Sequence, residues 1–144
     1  MPDTPPPAGN LAQNIVQAAL AAAAAAAGKP YTVGGQTPDG FDCSGFVTYV
    51  FRQVFPSYTH MDTGHIVTSQ LFAPASAAQA ADLIFFPAGV NPYDGKSYPN
   101  HVGIVLDGKT WIGSQTSTGV ARVPMTNLWW SPREKRLLRY TLLA

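Results

Sequence analysis

The sequence lacks several features on which particular classes of protein depend. It has a single cysteine, Cys43, which excludes an internal disulfide and a zinc site built from several cysteines. Charged residues make up only 12% of the 144, and the net charge of +1 favours neither nucleic acid nor an anionic membrane as a partner. A chain of this length, with an apolar share of 46%, is expected to form one domain around one core.

A strongly apolar run that could cross a membrane is also lacking. Residues 11–27 are mostly alanine, which is only weakly apolar, and polar residues interrupt the run. No Lys or Arg precedes it, so the segment does not resemble a secretory signal peptide. Because alanine favours helix, we expect a helix here that is capped by Asn10 and ended by Gly28. Residues 1–10 are predicted to be a flexible tail, and residues 11–144 a single domain.

Two further helices are predicted in the first half of the chain. Apolar residues recur at helical spacing from Phe46 to Phe55, Asp42 stands where an N-cap belongs, and Pro56 ends the pattern. A short helix is expected near residues 66–71. The small, neutral residues 73–81 are interpreted as a turn and a linker.

Strands are predicted where short apolar runs lie between turn-forming residues. The predicted strands are residues 82–86, 101–106, 110–115, 119–125 and part of 134–143, with a brief extended piece at 31–33 and a loop over 89–100. Asp-Gly-Lys at 107–109 indicates a tight hairpin turn. Because helices come first and strands follow, we expect an α+β domain whose N-terminal helices pack on a central antiparallel sheet of about five strands.

Cys43 lies in the stretch GFDCSGF, in the first turn of the helix that Asp42 is expected to cap. The amides and the dipole at a helix N-terminus stabilise an anion, so this position favours a thiolate. Three interpretations are open at this point. The residue could be a small buried apolar side chain, a metal ligand or a nucleophile.

A nucleophilic thiol needs a base, and His101 is the best-placed candidate. It begins a predicted strand, from which an imidazole can reach a helix N-terminus. The base in turn needs a partner that fixes its tautomer. On the returning antiparallel strand Gln115 or Ser114 could lie beside His101, depending on which of the two shares its face of the sheet.

Three segments in this order resemble the NlpC-type cell-wall peptidases: GKPYTVGGQTPDGFDCSGFVTYVF, DLIFF and HVGIVLDGKTWIGS. These are papain-like cysteine peptidases that cut the stems and cross-links of bacterial peptidoglycan. The resemblance covers roughly residues 28–120 and implies the papain-like α+β fold.

The resemblance also implies roles for individual residues. Cys43 matches the nucleophile, whose own amide helps to hold the oxyanion, and His101 matches the base. Tyr31 matches a tyrosine whose hydroxyl lies near the nucleophile, while Asp42 and Ser44 match residues that help to bind a free amine of the stem peptide. Acyl transfer to a thiol requires no metal and no organic cofactor.

One position departs from the family pattern. The family has a histidine about twelve residues after its base, where this chain has Gly113. We expect Gln115, on the same strand face, to take over the contact with the base. Ser114 is the second candidate and a backbone carbonyl the third. A neutral partner of this kind still fixes the tautomer of the imidazole.

The implied activity is that of a peptidoglycan amidase or endopeptidase acting through a Cys–His acyl-enzyme. The alternatives are a weak or inactive cell-wall-binding module of the same fold and another kind of acyl-transfer enzyme. Two settings fit the activity: a phage-type lysin, or an antibacterial effector exported by a type VI-like machine and paired with an immunity protein that blocks its cleft. Without a signal peptide, the protein is expected to be made in the bacterial cytoplasm and to act after secretion in the periplasm or wall of a target cell.

Three other clusters have simpler interpretations. Residues 60–65, HMDTGH, lack the spacing of a zinc motif, so we do not expect a metal site. The histidines are interpreted as solvated or hydrogen-bonded loop residues, or functionally as a wall of the substrate cleft. Trp111, Trp129 and Trp130 are expected to be core or rim aromatics rather than a glycan platform. The basic run at 133–136 is predicted to be a solvated face.

Overall fold

The computed structural model describes residues 8–143. Its helices are α1 (Ala8–Ala25), α2 (Cys43–Val54), α3 (Thr63–Thr68) and a final 3₁₀ turn (Thr141–Leu143). Its strands are β1 (Gln36–Thr37), β2 (Gly40–Phe41), β3 (Phe72–Ala75), β4 (Leu83–Phe86), β5 (Gly89–Val90), β6 (Ser97–Tyr98), β7 (His101–Val105), β8 (Thr110–Gln115), β9 (Gly119–Pro124) and β10 (Arg136–Tyr140).

Six of the strands form one antiparallel sheet in the order β3-β10-β4-β7-β8-β9. Helix α1 packs against α2, and α2 packs across β7 and β8. The α+β prediction is confirmed, with six strands in the central sheet rather than about five. Strands β4 and β7 are buried along their whole length, which explains why they read as continuous apolar runs in the sequence.

Helix α1 starts earlier than expected. It begins at Ala8, so Asn10 lies inside the helix and is not its N-cap. The predicted tail over residues 1–10 therefore falls partly in this helix, and residues 1–7 lie outside the described part of the chain. Gly28 has φ +77°, the left-handed conformation that commonly follows the end of a helix. The buried stripe of the helix consists of small and branched side chains, Ile15, Ala19 and Ala22, and buried Ala26 follows just past the helix end.

Helix α2 forms as its sequence pattern predicts. The Asp42 side chain accepts a hydrogen bond from the Gly45 amide at 2.6 Å, which satisfies one of the amides that a helix start leaves unpaired. The helix ends at Val54, with Phe55 as its C-cap and Pro56 next. Its core-facing side chains are fully buried: Phe46, Val47, Val50 and Phe51.

The edge strand β3 covers the first part of residues 73–81, where a turn and a linker were predicted, so that prediction is wrong for residues 73–75. Its residues pair with β10, from Phe72 opposite Tyr140 to Ala75 opposite Leu137. Small side chains and Pro74 hide the alternation that marks a strand, and proline is tolerated there because an edge strand need not donate every amide.

Three shorter segments also differ from expectation. Helix α3 begins at Thr63 rather than near residue 66, because the Asp62 carboxylate accepts the His65 amide at 2.8 Å and caps it. Residues 31–33 form no strand, and the first extended pair is β1 with β2. The loop over 89–100 contains the two-residue ladder β5–β6.

A buried ion pair ties the sheet together near one edge. Asp82 is fully buried, and both of its carboxylate oxygens accept from Arg139, at 2.8 Å from Nε and 2.9 Å from Nη2. The two parallel hydrogen bonds match the fork of the guanidinium. In the part of the chain that the structure describes, none of the helices is both long and apolar enough to span a bilayer.

Candidate active site

Cys43 is the first residue of α2, so its side chain stands at the helix N-terminus, as the sequence predicts. It is nearly buried, and its Sγ lies 3.3 Å from the Thr63 hydroxyl at the start of α3. Sequence reasoning missed Thr63. The Asp62 cap, which fixes the first turn of α3 and hence the position of Thr63, is the signal that could have found it.

His101 begins β7 and is buried, with 8% of its surface exposed. Its Nε2 lies 3.1 Å from Oε1 of Gln115. Ile104 pairs with Ile112 across β7 and β8, and continuing that register by three residues brings Gln115 opposite His101. Because an amide oxygen can only accept, Nε2 carries the proton and Nδ1 is left as the acceptor of the imidazole.

Ser114, the second candidate, points to the other face of β8. Its hydroxyl donates to the Phe41 carbonyl at 2.8 Å, so it ties β8 to β2 instead of contacting His101. The Gln115 amide nitrogen donates to the Ala121 carbonyl at 3.5 Å, which turns Oε1 toward the imidazole. Of the two candidates, the structure brings Gln115 to the base.

Burial governs the electrostatics of His101. The ring stacks on Trp130, with 4.8 Å between centroids and 28° between planes. Burial is the main cause that lowers the pKa of His101 to about 4. The hydrogen bond that Nε2 donates to Gln115 opposes this lowering, and the nearby Arg133 cation adds to it. The imidazole is therefore neutral near pH 7 and is able to accept a proton at Nδ1.

Two adjoining hollows form one cleft. One is bordered by Cys43, and the other, of about 420 Å³, by His101 and Gln115. Both hollows are bordered by Tyr31, Pro99 and Asn100. The candidate nucleophile and the candidate base thus open onto a continuous space that an extended peptide can occupy.

Comparison with known proteins identifies the family. The sequence model of the NlpC/P60 family matches residues 28–139, which is most of the chain. All residues that border the two hollows of the cleft lie within this range. The chain belongs to the NlpC/P60 family. The members of this family are cysteine peptidases.

Several curated relatives of NlpC/P60 type align with this chain. It is 41% identical over 88 residues to the probable endopeptidase p60 of Listeria grayi, covering 61% of the chain and 16% of that protein. It is 33% identical to the probable peptidoglycan endopeptidase LytE of Bacillus subtilis, and the alignment covers 77% of this chain and 30% of LytE. It is 32% identical to MepS of Escherichia coli, a murein DD-endopeptidase and LD-carboxypeptidase, and the alignment covers 74% of this chain and 53% of MepS. The chain thus spans between about a sixth and about half of the length of these relatives.

Solved structures of NlpC/P60 domains share the fold. The domain of the peptidoglycan hydrolase SagA superposes with a TM-score of 0.59 at 31% identity, covering 85% of this chain and 97% of that one. An NlpC/P60 protein from Bacillus cereus gives a TM-score of 0.68 at 22% identity, covering 91% of this chain and 40% of that one.

The departure from the NlpC/P60 pattern at Gly113 has a structural explanation. A Cβ at this position would lie 2.8 Å from Oε1 of Gln115 and 3.2 Å from the ring of Trp111. The Gln115 amide therefore fills the space in which a side chain at position 113 would begin. Glycine at 113 and glutamine at 115 fit together, because a side chain at 113 would displace the amide that contacts His101.

The other three residues that match NlpC/P60 positions surround the thiol. The Asp42 carboxylate accepts from the Gly34 amide at 2.9 Å and from the Ser44 hydroxyl at 3.3 Å. Burial, together with the nearby Cys43 and Asp42, raises the pKa of Tyr31 to about 12, so its hydroxyl stays protonated beside the thiol. Tyr31, Asp42 and Ser44 all border the same hollow as Cys43.

The histidines of the HMDTGH segment have local partners. His60 Nδ1 lies 2.7 Å from the Thr48 hydroxyl, and His65 Nδ1 lies 2.8 Å from the Asp62 carboxylate. Within residues 8–143, no group of three or more His, Cys, Asp or Glu side chains is placed to hold a metal ion. Asp62, Thr63 and Gly64 border the Cys43 hollow, as expected of a cleft wall.

Proposed function

We propose that this chain is a cysteine peptidase that hydrolyses an amide bond in the stem peptide or cross-link of bacterial peptidoglycan. The observation that carries the proposal is the buried His101–Gln115 pair, which holds Nε2 and leaves Nδ1 as a base on the cleft that Cys43 also borders. Relatives whose names specify peptidoglycan or murein supply the substrate class.

The chemistry follows from the state of each group. Cys43 turns from Thr63 toward the imidazole, Nδ1 of His101 takes the thiol proton, and Sγ attacks the scissile carbonyl. The Cys43 amide, at the start of α2 where no helix carbonyl precedes it, donates to the developing oxyanion. The imidazolium then protonates the leaving amine, and the C–N bond breaks to leave a thioester. His101 next takes a proton from water, the hydroxide attacks the thioester, and the acid product and free thiol are released.

Substrate positioning falls to the polar groups around the thiol. The Asp42 carboxylate is held in place by the Gly34 and Gly45 amides, which both donate to it. A free amine of the stem peptide can bind there by charge-assisted hydrogen bonds, joined by the hydroxyls of Ser44 and Tyr31. This arrangement selects a substrate whose acyl half ends in an ammonium group.

Digestion of purified peptidoglycan tests the proposal. Wild type should release new fragments, identified by mass, whereas Cys43→Ala and His101→Ala should release none above background. The masses also name the bond that is cut. If folded wild type changes no fragment, the peptidase proposal is wrong, and sedimentation of the protein with intact peptidoglycan would then favour the wall-binding alternative.

The biological setting is a separate proposal. We propose that the enzyme acts in the wall of a target cell, either as a secreted antibacterial effector with an immunity protein or as a phage-type lysin. Both hollows of the cleft are open to solvent, so a bound immunity protein could cover them and keep substrate out. Expression in the Escherichia coli periplasm should lyse cells, cytoplasmic expression should not, and Cys43→Ala should be harmless in both. Equal toxicity in the two compartments would contradict a wall target.

A further inference from the structure

Arg133 is not part of a solvated face, and for this residue the sequence-based prediction is wrong. Its guanidinium carbon lies 3.7 Å from the centre of the Tyr98 ring and 4.6 Å from that of Trp130. Phe86 and Trp129 complete an aromatic enclosure at 5.6 Å and 5.9 Å. Two of its nitrogens, Nε and Nη2, are buried without a hydrogen-bond partner.

Within residues 8–143, no carboxylate forms an ion pair with Arg133. Among residues 8–143, no Asp or Glu borders the hollow that Arg133 shares with His101. The nearest acid in sequence, Glu134, contacts Arg136 instead, at 3.7 Å. The Tyr98 hydroxyl also contacts the guanidinium. Aromatic faces hold a cation without cancelling its charge, so a half-buried cation of this kind attracts an anion.

Arg139 is an arginine of the same chain whose charge is paired with a carboxylate. Its Nε and Nη2 both donate to the Asp82 carboxylate, at 2.8 Å and 2.9 Å. Arg133 is equally fixed by its surroundings, yet it borders a hollow of about 420 Å³ instead of an acid. With two nitrogens sealed, Nη1 is the donor that a ligand in that hollow can reach.

The position of the hollow indicates which part of a substrate would enter it. In the proposed mechanism His101 protonates the leaving amine, so the amine half of the substrate must lie on the imidazole side of the scissile bond. That side is the hollow bordered by His101, Gln115 and Arg133. A negative group on the amine half would therefore come close to the guanidinium.

We propose that Arg133 is a specificity-determining residue that binds a carboxylate of the leaving half of the substrate. The enzyme then prefers bonds whose released amine fragment carries a free carboxylate near the new amino group. This inference rests on the proposed function for the direction in which the substrate lies. In this proposal the rings of Tyr98, Trp129 and Trp130 hold the Arg133 cation at the imidazole end of the cleft.

A paired-substrate experiment tests the preference. Soluble stem peptides are prepared with the carboxylate of the leaving half either free or amidated, and kcat/KM is measured for both. Wild type should prefer the free acid about tenfold or more, since a hydrogen bond to a charged group is lost on amidation. Arg133→Gln should bring the ratio close to one, and Arg133→Lys should keep part of it. An unchanged ratio in Arg133→Gln would overturn the proposal.

Arg136→Gln is the matched control, because it removes the same charge three residues away on an exposed side chain. It should keep the wild-type ratio. If it lowers the ratio as much as Arg133→Gln does, the effect is one of bulk charge and the proposal fails. Thermal unfolding of each variant checks that the comparison is made between folded proteins.

A binding measurement separates this proposal from the peptidase proposal. The same two peptides are titrated into Cys43→Ala, with tryptophan fluorescence as the readout, because Trp129 and Trp130 surround Arg133. Tighter binding of the free acid, abolished by adding Arg133→Gln, supports the carboxylate site even if wild type cuts neither peptide. Equal binding of both peptides overturns it even if wild type is an active peptidase.

Discussion

The two sides of the cleft are built on different physical principles. Around Cys43, polar groups satisfy one another: a capping carboxylate, two hydroxyls and the amides of a helix start. Around His101, aromatic rings enclose a neutral imidazole and the Arg133 cation, which forms no ion pair within residues 8–143. The thiol side can hold an anion, whereas the imidazole side resists adding positive charge. This difference makes His101 a base at neutral pH, and five substitutions test it.

The largest expected effect is acid destabilisation through His101. The pKa of this side chain is about 4 in the folded protein against 6.5 as its ordinary value. Between those values the unfolded chain binds a proton that the folded protein does not. Stability is therefore lost as pH falls from about 6.5 to about 4, by about 3 kcal/mol at most. In urea unfolding, the free energy of unfolding of His101→Asn should fall less than that of wild type between pH 6.5 and pH 4, by that amount.

His65→Asn is the control for this experiment, since His65 is exposed on the polar side of the cleft. It should leave the acid slope as it is in wild type. A His101→Asn protein that loses stability in acid as steeply as wild type would mean that the imidazole side is wetter than its burial indicates.

The next largest effect is expected from removing the partner of the base. Gln115→Leu keeps the approximate volume but cannot accept from Nε2, so the tautomer with Nδ1 unprotonated is no longer favoured. We expect kcat/KM on peptidoglycan fragments to fall roughly 100-fold. Gln53→Leu, on the exposed face of α2, is the matched control. A loss of less than about threefold in Gln115→Leu would remove Gln115 from the catalytic machinery.

Gln115→Glu sharpens the same point by changing charge at constant shape. An anionic neighbour favours the imidazolium, so it raises the pKa of His101 and makes the base side resemble the polar thiol side. The acid limb of the kcat/KM profile should move to higher pH by about one unit or more. A limb that stays where it is in wild type would show that His101 does not set it.

A smaller effect is expected at the glycine that replaces the family histidine. In Gly113→Ala the new Cβ would press on Oε1 of Gln115 at 2.8 Å, so the amide must move away from the imidazole. We expect kcat to fall roughly tenfold, which corresponds to the weakening of one positioned hydrogen bond to the base. Gly108→Ala is the control, because nothing lies within 4 Å of its Cβ.

The double variant decides how Gly113 acts. If the alanine works only by displacing Gln115, then adding Gly113→Ala to Gln115→Leu should cost nothing further. Additive losses would instead mean that Gly113→Ala disturbs the sheet, for example through the Trp111 ring that lies 3.2 Å from the same Cβ.

The sequence predicts well what depends on neighbours in the chain. The Asp42 cap, the α2 stripe and the apolar strands follow from local patterns, and so does the position of Cys43 at a helix start. Alternation along a hairpin strand is local and limits the side-chain partner of His101 to Gln115 or Ser114, and the register of β8 on β7 decides for Gln115. Edge strand β3 is hidden by small residues, whose burial is set by the distant strand β10.

Contacts between distant segments are what the sequence could not reveal. Arg133 reads as one of a run of charges, and only folding brings Tyr98 over its guanidinium. Thr63 lies 20 residues from Cys43, in a segment whose polar letters suggest a loop. Both residues belong to the cleft through tertiary packing, which leaves no periodic signal in the chain.

The smallest effect is expected at Thr63, and it bears on the polar side of the cleft. The hydroxyl lies 3.3 Å from Sγ and holds the resting thiol where no bond to His101 forms. Thr63→Val keeps the shape but removes this bond, so the thiol is freer to turn toward Nδ1. Alkylation of Cys43 by iodoacetamide at pH 7 should speed up about threefold, in line with one weak neutral hydrogen bond. Thr63→Ser retains the hydroxyl and should react like wild type. Slower alkylation in Thr63→Val would mean that the hydroxyl activates the thiol instead of restraining it. In that case Thr63, as well as His101, would help to form the thiolate.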